Sequence, residues 1–182
     1  MLNWLAKRSR RKRNAHNLYG SIVALSRSPI LYTELGVPDT LETRFEILVM
    51  HMFIFINRMQ GSGEDEQELA QEIVDLFFAD MDTTSREAGV GDLAVPKRMR
   101  KLAAVFQERM TQYNQAINTS NREAITREFK QNIYHGNESV GRHAAGLSEY
   151  VWTLKSELAQ MPTNELQFAH ERLTGKMDDD HG

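Results

Sequence analysis

The chain has 182 residues, 41% of them hydrophobic and 26% charged, with no cysteine, which suits one domain with a buried core and excludes disulfide or thiolate chemistry. Its longest apolar run, residues 47–56, falls short of the roughly 18 residues a membrane span needs and carries His51 in its middle. Net charge is only −3, but six of the 22 basic residues (Lys7, Arg8, Arg10, Arg11, Lys12 and Arg13) fall within residues 7–13, and all 25 acidic residues follow them.

In chain order, residues 1–13 read as a basic arm, mobile or partly helical, with Met1, Leu2, Trp4 and Leu5 as an apolar tip. A first helix is expected over 14–27, with Leu18, Ile22, Val23 and Leu25 inward, ended by Ser28-Pro29 because the residue before proline is pushed out of the α region. A short helix at 30–35 and a turn at 36–39 lead to a second long helix, 40–60, capped by Asp39 or Thr40. Leu41, Phe45, Leu48, Met52, Phe55 and Met59 follow helical spacing, and the middle of this segment is apolar almost all round, so it is expected at the centre of the core.

Gly61-Ser62-Gly63 breaks the pattern. A helix over 65–83 carries Leu69, Ile73, Leu76, Phe77 and Met81, and a loop with Gly89 and Gly91 follows, where glycine allows positive φ or close approach. Asp92 is placed to cap the next helix, 96–118, which opens on Pro96 and carries Met99, Leu102, Phe106, Met110, Tyr113 and Ile117 on one stripe. Ser120 and Glu123 form a capping box for a helix ending near Gly136. Helices over 138–160 and 163–173 complete the chain, before a polar tail at 176–182. No segment alternates with period two, so the fold class is all-α: a single compact helical domain, 14–175, of six or seven helices, with the basic arm 1–13 ahead of it.

Catalytic patterns are missing from the sequence. No Glu has a His three residues on, as a di-iron bundle needs, and neither HExxH nor a phosphate loop is present. Residues 89–94 match a relaxed dinucleotide fingerprint by letter, but a helix precedes them where a strand is required. His135, Glu138 and His143 are close enough in sequence to suggest a metal, though a polar surface at a helix junction explains them better. His51, between Met50 and Met52, reads as a buried, hydrogen-bonded histidine rather than a ligand. Nine methionines and the phenylalanines suit either a surface that grips apolar helices or ordinary core. The reading is a non-enzyme with no cofactor, no metal and no small-molecule substrate.

Three blocks carry a family resemblance: LYGSIVALSRSPILY (18–32), LGVPDTLETRFEILVMHMF (35–53) and DMDTTSREAGVGDLAVPKRMRKL (80–102). In this order and spacing they resemble the ubiquinol–cytochrome c chaperones, over roughly residues 17–117 and more weakly to about 158. The resemblance implies a helical assembly factor for respiratory complex III whose client is newly made cytochrome b. It also implies a second small assembly factor as partner, and the ribosome near its exit tunnel. Tyr32, Asp39, Arg44, Arg86, Glu87, Asp92, Lys97 and Arg98 lie in these blocks and are expected to border the client surface.

With no transit-like leader, the chain looks like a bacterial member, cytoplasmic and peripheral at the inner face of the cytoplasmic membrane. Trp4, Lys7, Arg8, Arg10, Arg11, Lys12 and Arg13 are the expected contact with anionic membrane or ribosome. The alternative is a helical adaptor or regulator that contacts nucleic acid or the ribosome through this arm.

Overall fold

The computed structural model describes residues 2–137 and 141–173, with side chains described from residue 6 onward. Among these residues the chain forms seven α-helices and no strand: α1 (Leu2–Ser26), α2 (Pro29–Thr33), α3 (Leu41–Met59), α4 (Glu64–Glu87), α5 (Val95–Asn118), α6 (Arg122–Asn132) and α7 (Gly141–Gln160). A 3-10 helix, Thr163–Phe168, follows and leads into helical residues up to 173. No described helix is long and apolar enough to cross a membrane. The polar tail at 176–182 lies outside the described residues.

The apolar run of α3 makes it the axis of the bundle. Every residue from Glu46 to Phe55 is buried, and α1, α4, α5 and α7 pack around this helix. Rings join the elements beyond it. Phe77 on α4 lies 6.1 Å from Phe45 and 5.2 Å from Phe106 on α5, while Tyr113 contacts both Phe53 at 5.5 Å and Phe129 of α6 at 5.7 Å. Met50, Met52, Met59 and Met161 are buried in the same core, and Met81 and Met110 pack against it. These methionines are therefore packing residues, the second of the two readings the composition allows.

Polar groups tie the helices in register. Glu46 and Arg109, each about one-tenth exposed, form a bidentate pair between α3 and α5 at 2.9 and 3.0 Å. Arg58 donates to the carbonyls of Leu158 (2.8 Å) and Met161 (2.9 Å), satisfying the end of α7 where the helix leaves carbonyls without internal partners.

Of the two readings of the basic segment the helical one is observed, and three other local expectations differ from the structure. α1 begins at Leu2, so the basic residues are helical and continuous with residues 14–26. Their cations meet acids on α4: Lys7 pairs with Asp65 at 2.7 Å, and Arg11 pairs with Glu68 and, at 3.7 Å, with Glu72. Ser120 does not cap α6. Its φ is +51°, and the bonds Ser120 N–H to Ile117 and Asn121 N–H to Ala116 close a Schellman stop on α5, so Asn121 caps α6 instead, accepting from Ala124 N–H at 2.9 Å. Gly89, at φ +79°, ends α4 by the same motif, whereas Gly91 does not have positive φ. Leu41, expected in the core stripe, is 72% exposed because it occupies the first position of α3, beyond the packed length of the helix.

Candidate functional site

The blocks at 35–53 and 80–102 converge at one end of the bundle, where α3 and α5 both begin. The first block is held from behind. Tyr134 donates its hydroxyl to the Leu35 carbonyl at 2.6 Å, and the His143 ring, stacked on Tyr134, lies against Gly36, which has φ +62°. Thr40 then caps α3 in a reciprocal box with Thr43, and Thr43 also donates to the Pro38 carbonyl. Glu42 accepts from its own backbone N–H and from the Thr40 hydroxyl, so its carboxyl titrates below the usual range.

Asp39, freed from capping, forms a two-point pair with Arg44 at 2.5 and 3.1 Å, and the guanidinium holds the Asp39 carboxyl below its ordinary value. Tyr32 lies within the field of this pair. Its hydroxyl donates to the Ser26 carbonyl at 3.1 Å, and its pKa is raised mainly by burial. Tyr32, Asp39 and Arg44 therefore form one group.

The second group lies across the α4–α5 turn. Arg86 donates to Asp82 at 2.7 Å and to Asp92 at 2.7 Å, strapping the last turn of α4 to the loop. Asp92 is therefore not a cap for α5, whose N-cap residue, Ala94, has no side-chain hydrogen bond. Glu87, Lys97 and Arg98 are exposed. The Arg98 charge makes a small contribution to the low pKa of Glu42, which places it near the start of α3. Two leucines stand at this end, Leu41 and Leu93, the latter 99% exposed.

Sequence reasoning missed Leu93, Arg100 and Lys101 as parts of this face. The available signal was a leucine stranded between Gly91 and Pro96 with no helical partner, followed by cations on α5.

The opposite end of α4 holds the basic end of α1. With Lys7 and Arg11 paired to α4, Arg10, Lys12 and Arg13 remain exposed without an ion pair among the described residues, and Arg8 is exposed too. Asp65 draws the Lys7 pKa up, mainly through their hydrogen bond. A cleft of about 260 Å³ opens here between α1, α4 and the 3-10 helix, lined by Lys7, Arg10, Arg11, Asp65, Leu69 and Gln167 among others. The side chain of Trp4 lies outside the described residues.

None of the histidines sits in a ligand set among the described residues, where no three His, Cys, Asp or Glu side chains gather to hold a metal. Glu138 lies outside these residues, and His143 is stacked on Tyr134 at 6.4 Å. Both nitrogens of His51 are engaged, by the Ile47 carbonyl and the Tyr150 hydroxyl, each at 2.8 Å. Burial lowers its pKa to about 4, so the ring is neutral at pH 7.

The family match takes in the blocks at 35–53 and 80–102 and runs on past them, while the block at 18–32 lies ahead of it. The family model described as ubiquinol-cytochrome C chaperone matches residues 33–172, from α2 through the 3-10 helix. The crystal structure of the Cbp3 homolog from Brucella abortus superposes with a TM-score of 0.79 at 35% identity, covering 93% of this chain and 94% of that one. No curated protein sequence matches.

Proposed function

Because the chain belongs to the ubiquinol-cytochrome C chaperone family, we propose that it is a non-catalytic assembly factor that binds cytochrome b during biogenesis of ubiquinol–cytochrome c reductase, complex III. The observation that carries this reading is a family match running from the end of α2 through α3 to α7 and the 3-10 helix, not one short motif. The side chains are compatible with binding rather than catalysis. His51 is locked between two hydrogen bonds, and the candidate face presents ion pairs and leucines in place of a nucleophile and its base.

The client surface in this proposal is the end where α3 and α5 begin. Tyr32, Asp39, Arg44, Arg86, Glu87, Asp92, Lys97 and Arg98 form its polar border, and Leu41 supplies an apolar contact. The protein works peripherally at the inner face of the cytoplasmic membrane, with a second small assembly factor as a further partner. The basic end of α1 contacts ribosome or anionic lipid. Pairing of Lys7 and Arg11 with α4 weakens the alternative of a nucleic-acid adaptor, because it removes cations from that surface and places acids beside it.

Affinity recovery of the tagged chain from gently solubilised membranes tests the reading. Cytochrome b should be enriched, and the pair of changes Asp92→Ala and Lys97→Ala should lower its recovery. Melting should stay nearly unchanged, since exposed pairs contribute only about 0–1 kcal/mol. Recovery of ribosomal proteins or RNA without cytochrome b would overturn it.

A further inference from the structure

The first turns of α5 carry Lys97, Arg98, Arg100 and Lys101, all exposed and none in a salt bridge among the described residues. At 100° per residue the four occupy one arc of about 160°, opposite the side that buries Val95 and Phe106. Helix stability does not explain them. The N-terminal end of a helix carries partial positive charge and favours acids, yet the first turn of α5 has none, while α3, α4 and α6 each begin with at least one.

The acids nearby are otherwise engaged or set apart. Asp92 and Asp82 hold Arg86, and Glu42 bonds its own N–H and the Thr40 hydroxyl while feeling the Arg98 charge. Immediately ahead of the cations, Leu93 stands 99% exposed at the loop tip, and Leu41 at 72% flanks the same end.

We infer that this end of the molecule, Leu93 with the α5 cations, docks on the surface of an anionic lipid bilayer. Leucine at the tip enters the headgroup boundary, and the cations behind it meet lipid phosphates. An exposed leucine ahead of a cationic arc has the chemistry of an interfacial anchor. A polyanion such as RNA would use the cations but leave Leu93 in water. The surface lies about 36 Å from the basic end of α1, the length of α4, so the two basic regions are separate. The inference stands on these side chains and does not require the client proposed above.

Sedimentation of the full chain with vesicles tests it, using phosphatidylglycerol mixed with phosphatidylcholine against phosphatidylcholine alone. The chain should bind the anionic vesicles and leave the neutral ones. Arg100→Gln with Lys101→Gln should weaken partitioning about 25-fold, about fivefold per cation. Leu93→Ser should weaken it about tenfold, and neither change should alter melting, because Leu93 is 99% exposed and both cations are exposed and outside any salt bridge among the described residues. Lys12→Gln with Arg13→Gln on α1 should retain most of the binding.

Equal binding by the Leu93 and Arg100/Lys101 variants would overturn the inference, as would loss caused only by the α1 variant. So would competition by RNA together with an indifferent Leu93→Ser. Recovery of cytochrome b in detergent, where no bilayer remains, reports on the client separately, so either idea can fail without the other.

Discussion

The hydroxyl of Tyr150 on α7 lies 2.8 Å from Nε2 of His51 at the middle of α3. The other ring nitrogen, Nδ1, faces the Ile47 carbonyl, which can only accept, so Nδ1 carries the proton and Nε2 accepts from Tyr150. The two rings meet edge-on at 5.6 Å. A polar contact thus joins two helices within the core.

Removing one partner should cost more than removing both. Tyr150→Phe leaves a buried ring nitrogen without a donor and should destabilise by about 1–3 kcal/mol. Adding His51→Leu to that variant should recover part of the loss. Urea unfolding checks this, with the midpoint moving and the slope unchanged. A single change as mild as the double one would show that the bond contributes nothing.

The same histidine makes stability depend on acid. Its folded pKa is about 4 against an ordinary 6.5, so between those values the unfolded chain binds a proton that the folded chain refuses. Stability should therefore be intact above pH 6.5 and fall as pH drops towards 4, by about 3 kcal/mol from this group. In the His51→Leu, Tyr150→Phe double variant the slope over that window should flatten.

Gly36 and Gly89 offer a controlled comparison. Both have positive φ, but a Cβ at Gly36 would stand 2.9 Å from Nδ1 of His143, while a Cβ at Gly89 meets nothing within 4 Å. Gly89→Ala should cost only the left-handed strain, roughly 1–2 kcal/mol. Gly36→Ala should cost about 1 kcal/mol more, and His143→Ala should relieve the excess. Thermal melts of the three variants decide it.

The N-terminal turns of α1 should be the salt-sensitive part of the fold. Lys7 and Arg11 hold them to α4 through exposed or half-exposed pairs, whereas Ala15, Leu18, Ile22 and Leu25 are buried. At 1 M salt the screening length is about 3 Å. Amide exchange should then speed up over residues 6–13 and stay unchanged over residues 15–25.

Several elements were legible because their causes are local. The run from Ile47 to Phe55 declares a helix buried all round, and Pro96 marks the first turn of α5 within one residue. Thr40 was one of two candidate caps, and the choice between it and Asp39 fell to Arg44, one turn along α3, which takes the Asp39 carboxylate. Ser120 departs from its sequence pattern for a related reason. A serine ahead of Glu123 satisfies the capping pattern, but the preceding helix had already drawn Ser120 into its own left-handed stop.

The arm and the candidate face show where that legibility ends. Helical periodicity, proline and glycine placement and the unbroken apolar run determined an all-α chain with α3 at its centre, since each depends on residues within a turn or two. Partners across the fold are not local. Nothing near Lys7 announces Asp65, nothing near His51 announces Tyr150, and the exposure of Leu41 follows from where the neighbouring helices end. Tertiary packing paired the basic segment with acids on α4, and it set Leu41 and Leu93 at one end beside the α5 cations. Those arrangements rest on contacts between residues far apart in sequence, and such contacts exist only once the helices have packed.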